Sequence, residues 1–168
     1  INAEYGEIRY RYCKQAEQQL LKTDKYFHPT NYNTYINVAL ENYQLLDSSI
    51  KKSDIVKTLV NPHTILHELP LGYAACRAMY ENDLPSLFIF ELHVKQGQQS
   101  CGIGGQLLKQ LQADASALNV QICCAVLKIN KRAMGFYIKH GFLLADWFDS
   151  DKRDYELLFW ERKLSQIQ

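Results

Sequence analysis

The chain has 168 residues, of which 47% are hydrophobic and 22% charged, a composition typical of a globular protein rather than a disordered or fibrous one. Its 19 lysines and arginines balance 18 aspartates and glutamates, which leaves no excess of positive charge for a nucleic-acid backbone. No apolar run approaches the ~20 residues that span a bilayer, and the five cysteines lack CxxC spacing. We therefore predict one cytoplasmic domain over residues 1–168, with reduced thiols and no nucleic-acid or membrane partner.

The N-terminal third of the chain combines one predicted strand with helices. Residues 8–13 alternate between apolar and basic side chains, which is the period of a half-buried strand. A helix is predicted over 14–23. Apolar and aromatic residues over 32–43 recur every three or four positions, as on one face of a second helix. A short third helix is predicted over 53–59, and the Asn-Pro pair that follows ends it.

The rest of the chain reads as a sheet interrupted by two helices. The predicted elements are strands over 63–67, 72–79 and 86–94, a helix over 104–118, a strand over 121–128, a helix over 130–139, and a final hairpin with strands over 142–148 and 155–163. Apart from the short helix, the whole order is β-α-α-β-β-β-α-β-α-β-β. Asn130 is suited to the N-cap of its helix, and Gly141 to the left-handed position after that helix ends.

A glycine-containing loop lies between the strand that ends near Val94 and the helix that begins near Gly104. The free N–H groups of a helix start and the helix dipole form a binding site for anions. No Lys-Ser or Lys-Thr pair follows the glycines as in a Walker loop, and Leu107 stands where the dinucleotide fingerprint has its third glycine. The loop therefore predicts either a pyrophosphate site or a tight turn between a closely packed strand and helix. Its residues are Gln99, Ser100, Cys101, Gly102, Ile103, Gly104 and Gly105.

A second motif follows the next predicted strand, and with the loop it resembles the two cofactor motifs of the GNAT acetyltransferase superfamily. The loop supplies Gln99, Gly102 and Gly104, and the second motif supplies Asn130, Ala133, Phe136-Tyr137 and Gly141-Phe142. The resemblance implies a single-domain α/β (α+β) fold with a mixed, mostly antiparallel sheet of about seven strands. It also implies an N-acetyltransferase that transfers the acetyl group of acetyl-CoA directly to a primary amine of a small molecule or peptide, without a covalent enzyme intermediate.

The same resemblance implies roles for individual residues. The main chain of Leu92, His93 and Val94 is expected to pair with the pantetheine arm, and the loop 99–105 to bind the pyrophosphate through its N–H groups. Asn130 would hydrogen-bond the pantetheine region, or serve only as a helix cap. Tyr137 would donate a proton to the CoA sulfur, since a phenol is protonated at neutral pH. Alternatively, Tyr137 would only pack on one face of an amphipathic helix.

Glu91 is the candidate general base, because it interrupts an apolar strand beside the expected cofactor edge. His93 lies on the same face of that strand. Both could instead be rim residues bound to water. His63 and His67 are four residues apart, which is a ligand spacing on a helix but not on the predicted strand, so no metal site is expected.

The amine acceptor is not identified by the sequence. Aromatic side chains of the first helices could contact an amine through cation–π interactions, although such stripes more often form core. They are Tyr26, Phe27, His28, Tyr32, Tyr35 and Tyr43. Two other functions stay open: a non-catalytic acyl-CoA sensor or scaffold with the same fold, and a nucleotide-binding protein that uses the loop for ATP. The assembly is predicted to be a monomer or a homodimer, the latter through Trp147 and Trp160.

Overall fold

The computed structural model describes residues 3–99 and 101–162, and within them it contains five helices and seven strands. In chain order they are α1 (Ala3–Leu21), β1 (Tyr26–Phe27), α2 (Asn33–Gln44), α3 (Lys52–Leu59), β2 (Ile65–Leu69), β3 (Gly72–Glu81), β4 (Leu84–Val94), α4 (Ile103–Leu118), β5 (Gln121–Leu127), α5 (Lys131–Lys139), β6 (Leu143–Leu144) and β7 (Tyr155–Trp160).

The seven strands form one sheet in the order β1-β2-β3-β4-β5-β7-β6. Neighbouring strands are antiparallel except for the central pair, β4 and β5, which is parallel. A parallel pair needs a crossover, and α4 provides it. The predicted mixed, mostly antiparallel sheet of seven strands is therefore confirmed.

Helices cover both faces of the sheet, because its central strands are apolar on both sides. One buried cluster joins Leu20 of α1 and Leu108 of α4 to the sheet, and it includes Tyr137 of α5. The other joins Ile36 of α2 and Leu59 of α3 to the opposite face. Glu91 and His93 pair in register with Ala75 and Tyr73, which belong to the second cluster. Among the described residues, no helix is long and apolar enough to cross a membrane.

The strand predicted over 8–13 is wrong, since those residues form the middle of α1. The side chains that face the protein follow the helical period instead: Tyr12 packs against the first cluster, and Ala16 and Leu20 are buried at steps of four. Ile8 and Tyr10, the apolar members of the alternating pattern, are 50% and 63% exposed. The first strand of the sheet is the two-residue β1, which pairs with β2.

The predicted strand over 142–148 is shortened to Leu143–Leu144, which pairs with β7 as the predicted hairpin requires. Burial does not alternate there, because both leucines are exposed and Phe142 is buried. Trp147 lies outside the strand and packs against Phe159, with ring centroids 4.8 Å apart. The predicted end of the last strand at residue 163 lies outside the described residues.

Candidate functional site

A gap opens in the middle of the sheet, where the two parallel strands separate. β4 and β5 pair only from Ser86 with Gln121 to Ile89 with Cys124, although β4 continues to Val94. The register between β3 and β4 shifts at Phe90, which is the extra residue of a β-bulge. Bulges bend a strand and end its pairing. A cavity of about 630 Å³ lies along this gap, a size typical of ligand sites.

The free edge of β4 presents main-chain groups to the gap. Lys95 N donates to Leu71 O, toward β3. Main-chain groups alternate between the two edges of an antiparallel strand, so those of His93 also point toward β3, whereas those of Leu92 and Val94 point into the gap. The side chain of His93 is directed toward Glu91, and its ring packs against those of Tyr43 and Tyr73.

The glycine loop stands at one end of this gap, where α4 begins at Ile103. Gly102 has a φ of 79°, a left-handed conformation that favours glycine. A Cβ on Gly104 would lie 3.4 Å from the Phe136 ring and 3.7 Å from Val94, so an alanine would make ordinary contacts there and only a larger side chain would press against α5 and β4. Cys101 is exposed. Ser100, also predicted to bind the cofactor, lies outside the described residues.

A group of side-chain amides joins the loop to β4 and α2. Gln99 Nε2 donates to Asn42 Oδ1 at 3.0 Å and to Val94 O at 3.4 Å. Asn42 Nδ2 also donates to Val94 O at 3.0 Å, and Gln96 donates to Asn42 Oδ1. Arg132 Nη1 on α5 donates to Gln99 Oε1 at 2.6 Å. The side chain of Gln99 therefore spans the gap between α2 and α5.

A buried carboxylate lies beside this group. Glu91, 6% exposed, accepts at Oε2 from the Tyr43 hydroxyl at 2.7 Å and from His93 Nε2 at 2.6 Å. Asn42 Nδ2 lies 3.0 Å from His93 Nδ1. Because an amide nitrogen only donates, these contacts assign the His93 proton to Nε2, facing the carboxylate. The pKa of the Tyr43 hydroxyl is raised well above its usual range. The main cause is burial of the hydroxyl, and the negative charge of Glu91 is the next.

Tyr137 lies on the inner wall of the cavity and also belongs to the core. It lines the cavity with Glu91, is 7% exposed, and packs against Phe142 with ring centroids 5.1 Å apart. Burial raises the pKa of its hydroxyl well above the usual range, so the group keeps its proton at neutral and mildly alkaline pH. Asn130 caps α5, since its Oδ1 accepts from Ala133 N at 3.1 Å. It also lines the cavity.

Comparison with known proteins agrees with this geometry. The model of the acetyltransferase (GNAT) family matches residues 20–142, a span that includes the glycine loop and α5. The chain belongs to the GNAT acetyltransferase family. A search among curated proteins gave no match.

Several solved GNAT structures share the fold of this GNAT chain at low sequence identity. PaiA N-acetyltransferase from Thermoplasma acidophilum, solved with coenzyme A, is 15% identical with a TM-score of 0.60, covering 82% of this chain and 98% of that chain. Arabidopsis thaliana Naa50, solved with the bisubstrate analogue CoA-Ac-MVNAL, is 20% identical with a TM-score of 0.52, covering 82% and 97%. A GNAT acetyltransferase from Elizabethkingia anophelis with acetyl-CoA bound is 23% identical with a TM-score of 0.52, covering 71% and 87%.

Sequence patterns did not single out three residues of the GNAT cavity. Asn42 carries no motif signal, and Tyr43 appeared only as one member of the aromatic stripe. Of that stripe, Tyr43 alone lines the cavity, whereas Tyr26 is 3% exposed in the core. Arg132 follows Asn130 by two positions at the start of α5, and a basic residue beside an expected phosphate site was a usable signal.

The described residues contain no group of three or more His, Cys, Asp or Glu side chains suited to a metal. His67, one of the two histidines considered from the sequence, lies in β2 and packs against Tyr26, with ring centroids 5.3 Å apart. His63 is exposed, and its Nδ1 lies 3.5 Å from Glu17 Oε2. The two histidines therefore have separate surroundings.

Proposed function

We propose that this protein is an acetyl-CoA-dependent N-acetyltransferase that transfers the acetyl group directly to a primary amine of a small molecule or peptide. One observation carries the proposal. A single cavity borders the free edge of β4 and the start of α4, and it also contains Tyr43, Glu91 and Tyr137. Groups for binding a cofactor and for moving protons therefore meet in one space.

The cofactor half of the site is assigned to main-chain groups. Leu92 and Val94 would bind the pantetheine arm as a neighbouring strand does, and the N–H groups of 99–105 would bind the pyrophosphate at the start of α4. The position of Gly104 in the cavity lining supports this fit, since a side chain larger than alanine would fill the space beside Phe136. Asn130 is assigned to the pantetheine region, and Arg132 to the phosphates by its charge. Acetyl-CoA, when bound, supplies an acetyl group activated as a thioester.

The catalytic half moves two protons. The Glu91 carboxylate accepts a proton from the ammonium group, directly or through water, and the freed nitrogen bonds to the acetyl carbon. Tyr137 donates its hydroxyl proton to the sulfur as the bond between sulfur and that carbon breaks. The product nitrogen, which still carries one proton too many, loses it to solvent, and solvent then returns a proton to Tyr137 and removes the proton held by Glu91. His93 and Tyr43 hold the carboxylate oriented through the bonds given above.

Acetyl-CoA binding is the first test, measured by isothermal titration calorimetry. We expect the wild type to bind and Gly104→Val to lose binding, because the added methyl groups occupy the approach between α4 and Phe136. Gly104→Ala is the matched control, since its Cβ meets only ordinary van der Waals contacts. ATP should not displace acetyl-CoA. Failure of the wild type to bind, or equal competition by ATP, would refute the cofactor assignment.

Turnover is the second test, followed by release of the free CoA thiol with a panel of primary amines. Tyr137→Phe and Glu91→Gln should each lower kcat by about 10²–10⁴, the usual contribution of a general acid or base. Acetyl-CoA binding should survive in both variants. Wild-type protein that binds acetyl-CoA and acetylates no amine would instead support a non-catalytic acyl-CoA sensor.

A further inference from the structure

Part of the cavity lining is apolar, and it comes from elements other than α4 and α5. Four residues line it from the α2–α3 connection, α3 and the bulge of β4; we call them the apolar lobe. They are Leu46, Ile50, Ile55 and Phe90. The helices α4 and α5, which belong to the cofactor half, line another part of the cavity. The lobe is therefore the part of the site that remains for the acceptor.

The wall of the apolar lobe is held in place at Phe90. The guanidinium of Arg77 lies 4.2 Å from the centre of the Phe90 ring. Arg77 is itself fixed by bonds to Thr64 Oγ1 at 2.8 Å and to Thr58 O at 3.0 Å. A wall that is already ordered loses little conformational entropy when a ligand binds.

Besides the Arg77 guanidinium at Phe90, few charged side chains lie around the lobe. Glu91 is buried at the strand, whereas Asp54 is exposed. Asp54 also lines the cavity, and its Oδ2 accepts from Lys51 N at 3.0 Å at the start of α3, a bond that leaves its negative charge in place. Arg132 is the basic side chain among the described residues that line the cavity, and it is bound to Gln99 on the cofactor side. The lobe thus offers one buried negative group and a surface of hydrocarbon.

We infer that the acceptor is a primary amine carried by an apolar body, with its ammonium at Glu91 and its hydrocarbon in the apolar lobe. This inference rests on the proposed function. A second ammonium at the far end of the acceptor is disfavoured, because it would lose its hydration among Leu46, Ile50 and Ile55, and the exposed, solvated carboxylate of Asp54 is a weak replacement for that hydration. Both a free alkyl or aryl amine and a peptide N-terminus with a large apolar first residue have this chemistry.

The decisive comparison uses two amines with the same number of non-hydrogen atoms, n-heptylamine and 1,6-diaminohexane. We expect kcat/KM for heptylamine to exceed that for the diamine at least about tenfold. Along the series from propylamine to heptylamine, kcat/KM should rise about fourfold for each buried methylene. A peptide that begins with Leu, compared with one that begins with Asp, separates the peptide source from the small-molecule source.

Two matched variants test the lobe itself. Ile50→Asp places a charge in the lobe and should remove the preference for heptylamine while leaving acetyl-CoA binding unchanged. Val60→Asp is the control, since Val60 is 50% exposed at the end of α3 and does not line the cavity. It should keep the wild-type preference.

Amine binding to the CoA-saturated protein, measured by calorimetry, separates this inference from the proposed function. Selective binding of heptylamine without turnover would support the lobe and refute the acetyltransferase proposal. Turnover that favours the diamine, or an unchanged preference in Ile50→Asp, would overturn the inference and leave the acetyltransferase proposal standing. Absence of both turnover and selective binding would refute both.

Discussion

At the scale of single residues, the buried carboxylate of Glu91 is the feature on which most of the site depends. A buried charge is tolerated only when hydrogen bonds replace its hydration. Glu91 has two such donors, Tyr43 and His93, and the orientation of His93 depends in turn on Asn42. Removing one donor should therefore weaken both the fold and the site.

Tyr43→Phe removes the hydroxyl and keeps the ring. We expect it to lower the free energy of unfolding by about 2 kcal/mol, because the carboxylate of Glu91 stays buried with one donor fewer. Urea unfolding followed by circular dichroism measures this difference. The kcat of the proposed reaction should fall as well, since Glu91 is then less firmly oriented.

Tyr35→Phe is the matched control for that experiment. The Tyr35 hydroxyl also donates to a carboxylate, that of Glu68, but Glu68 is exposed and water can replace the lost bond. Tyr35→Phe should therefore lower the free energy of unfolding by less than about 1 kcal/mol. Equal losses in the two variants would show that burial of Glu91 does not determine the cost.

At the scale of single elements, α5 shows how local sequence fixes a helix that serves the site. Asn130 caps its start, and Gly141, with a φ of 90°, follows its end. These signals are local to the chain, so the sequence predicted this helix within a residue of its bounds. The same reasoning failed for α1, where a run of five alternating residues suggested a strand and the longer helical pattern through Leu20 decided the structure.

Two glycines of this region should respond oppositely to alanine. Gly141→Ala should destabilise the protein by about 1–2 kcal/mol, because a Cβ is disfavoured in the left-handed region and would lie 3.4 Å from Trp160. Gly135→Ala, inside the helix and with nothing within 4 Å of the added Cβ, should stabilise it by about 0.5–1 kcal/mol. Thermal and urea unfolding measure both. Destabilisation by Gly135→Ala would contradict an unstrained helix there.

At the scale of the whole molecule, many titratable groups are buried around one sheet. Burial raises the pKa of several tyrosine hydroxyls above the ordinary value near 10, namely Tyr12, Tyr26, Tyr43, Tyr73 and Tyr137. It also raises the pKa of three thiols, that of Cys123 to about 12 and those of Cys76 and Cys124 beyond their usual range. The folded protein therefore holds these protons more tightly than the unfolded chain does.

Stability should consequently decline at alkaline pH. Since each folded pKa is raised, its contribution is fully present below the unfolded pKa and is lost as the pH rises through the folded pKa. The loss should begin near about pH 8.5 from the thiols and steepen above about pH 10 from the tyrosines. Urea unfolding at a series of pH values measures it, together with the ultraviolet absorbance of phenolate. If all 11 tyrosines ionised near pH 10 while the protein stayed folded, the buried hydroxyls would not have raised pKa values.

The sequence by itself determined the order of most elements, the glycine loop, the cap of α5 and the family, because each depends on residues close together in the chain. It also indicated Glu91 and Tyr137 as candidates, and their roles stay predictions. Only the tertiary structure decided that Asn42 and Tyr43 lie beside Glu91, since these residues are about fifty positions away from it and meet through packing of α2 on the sheet. The apolar lobe was likewise decided by packing, because its residues come from three separate segments and share no sequence pattern.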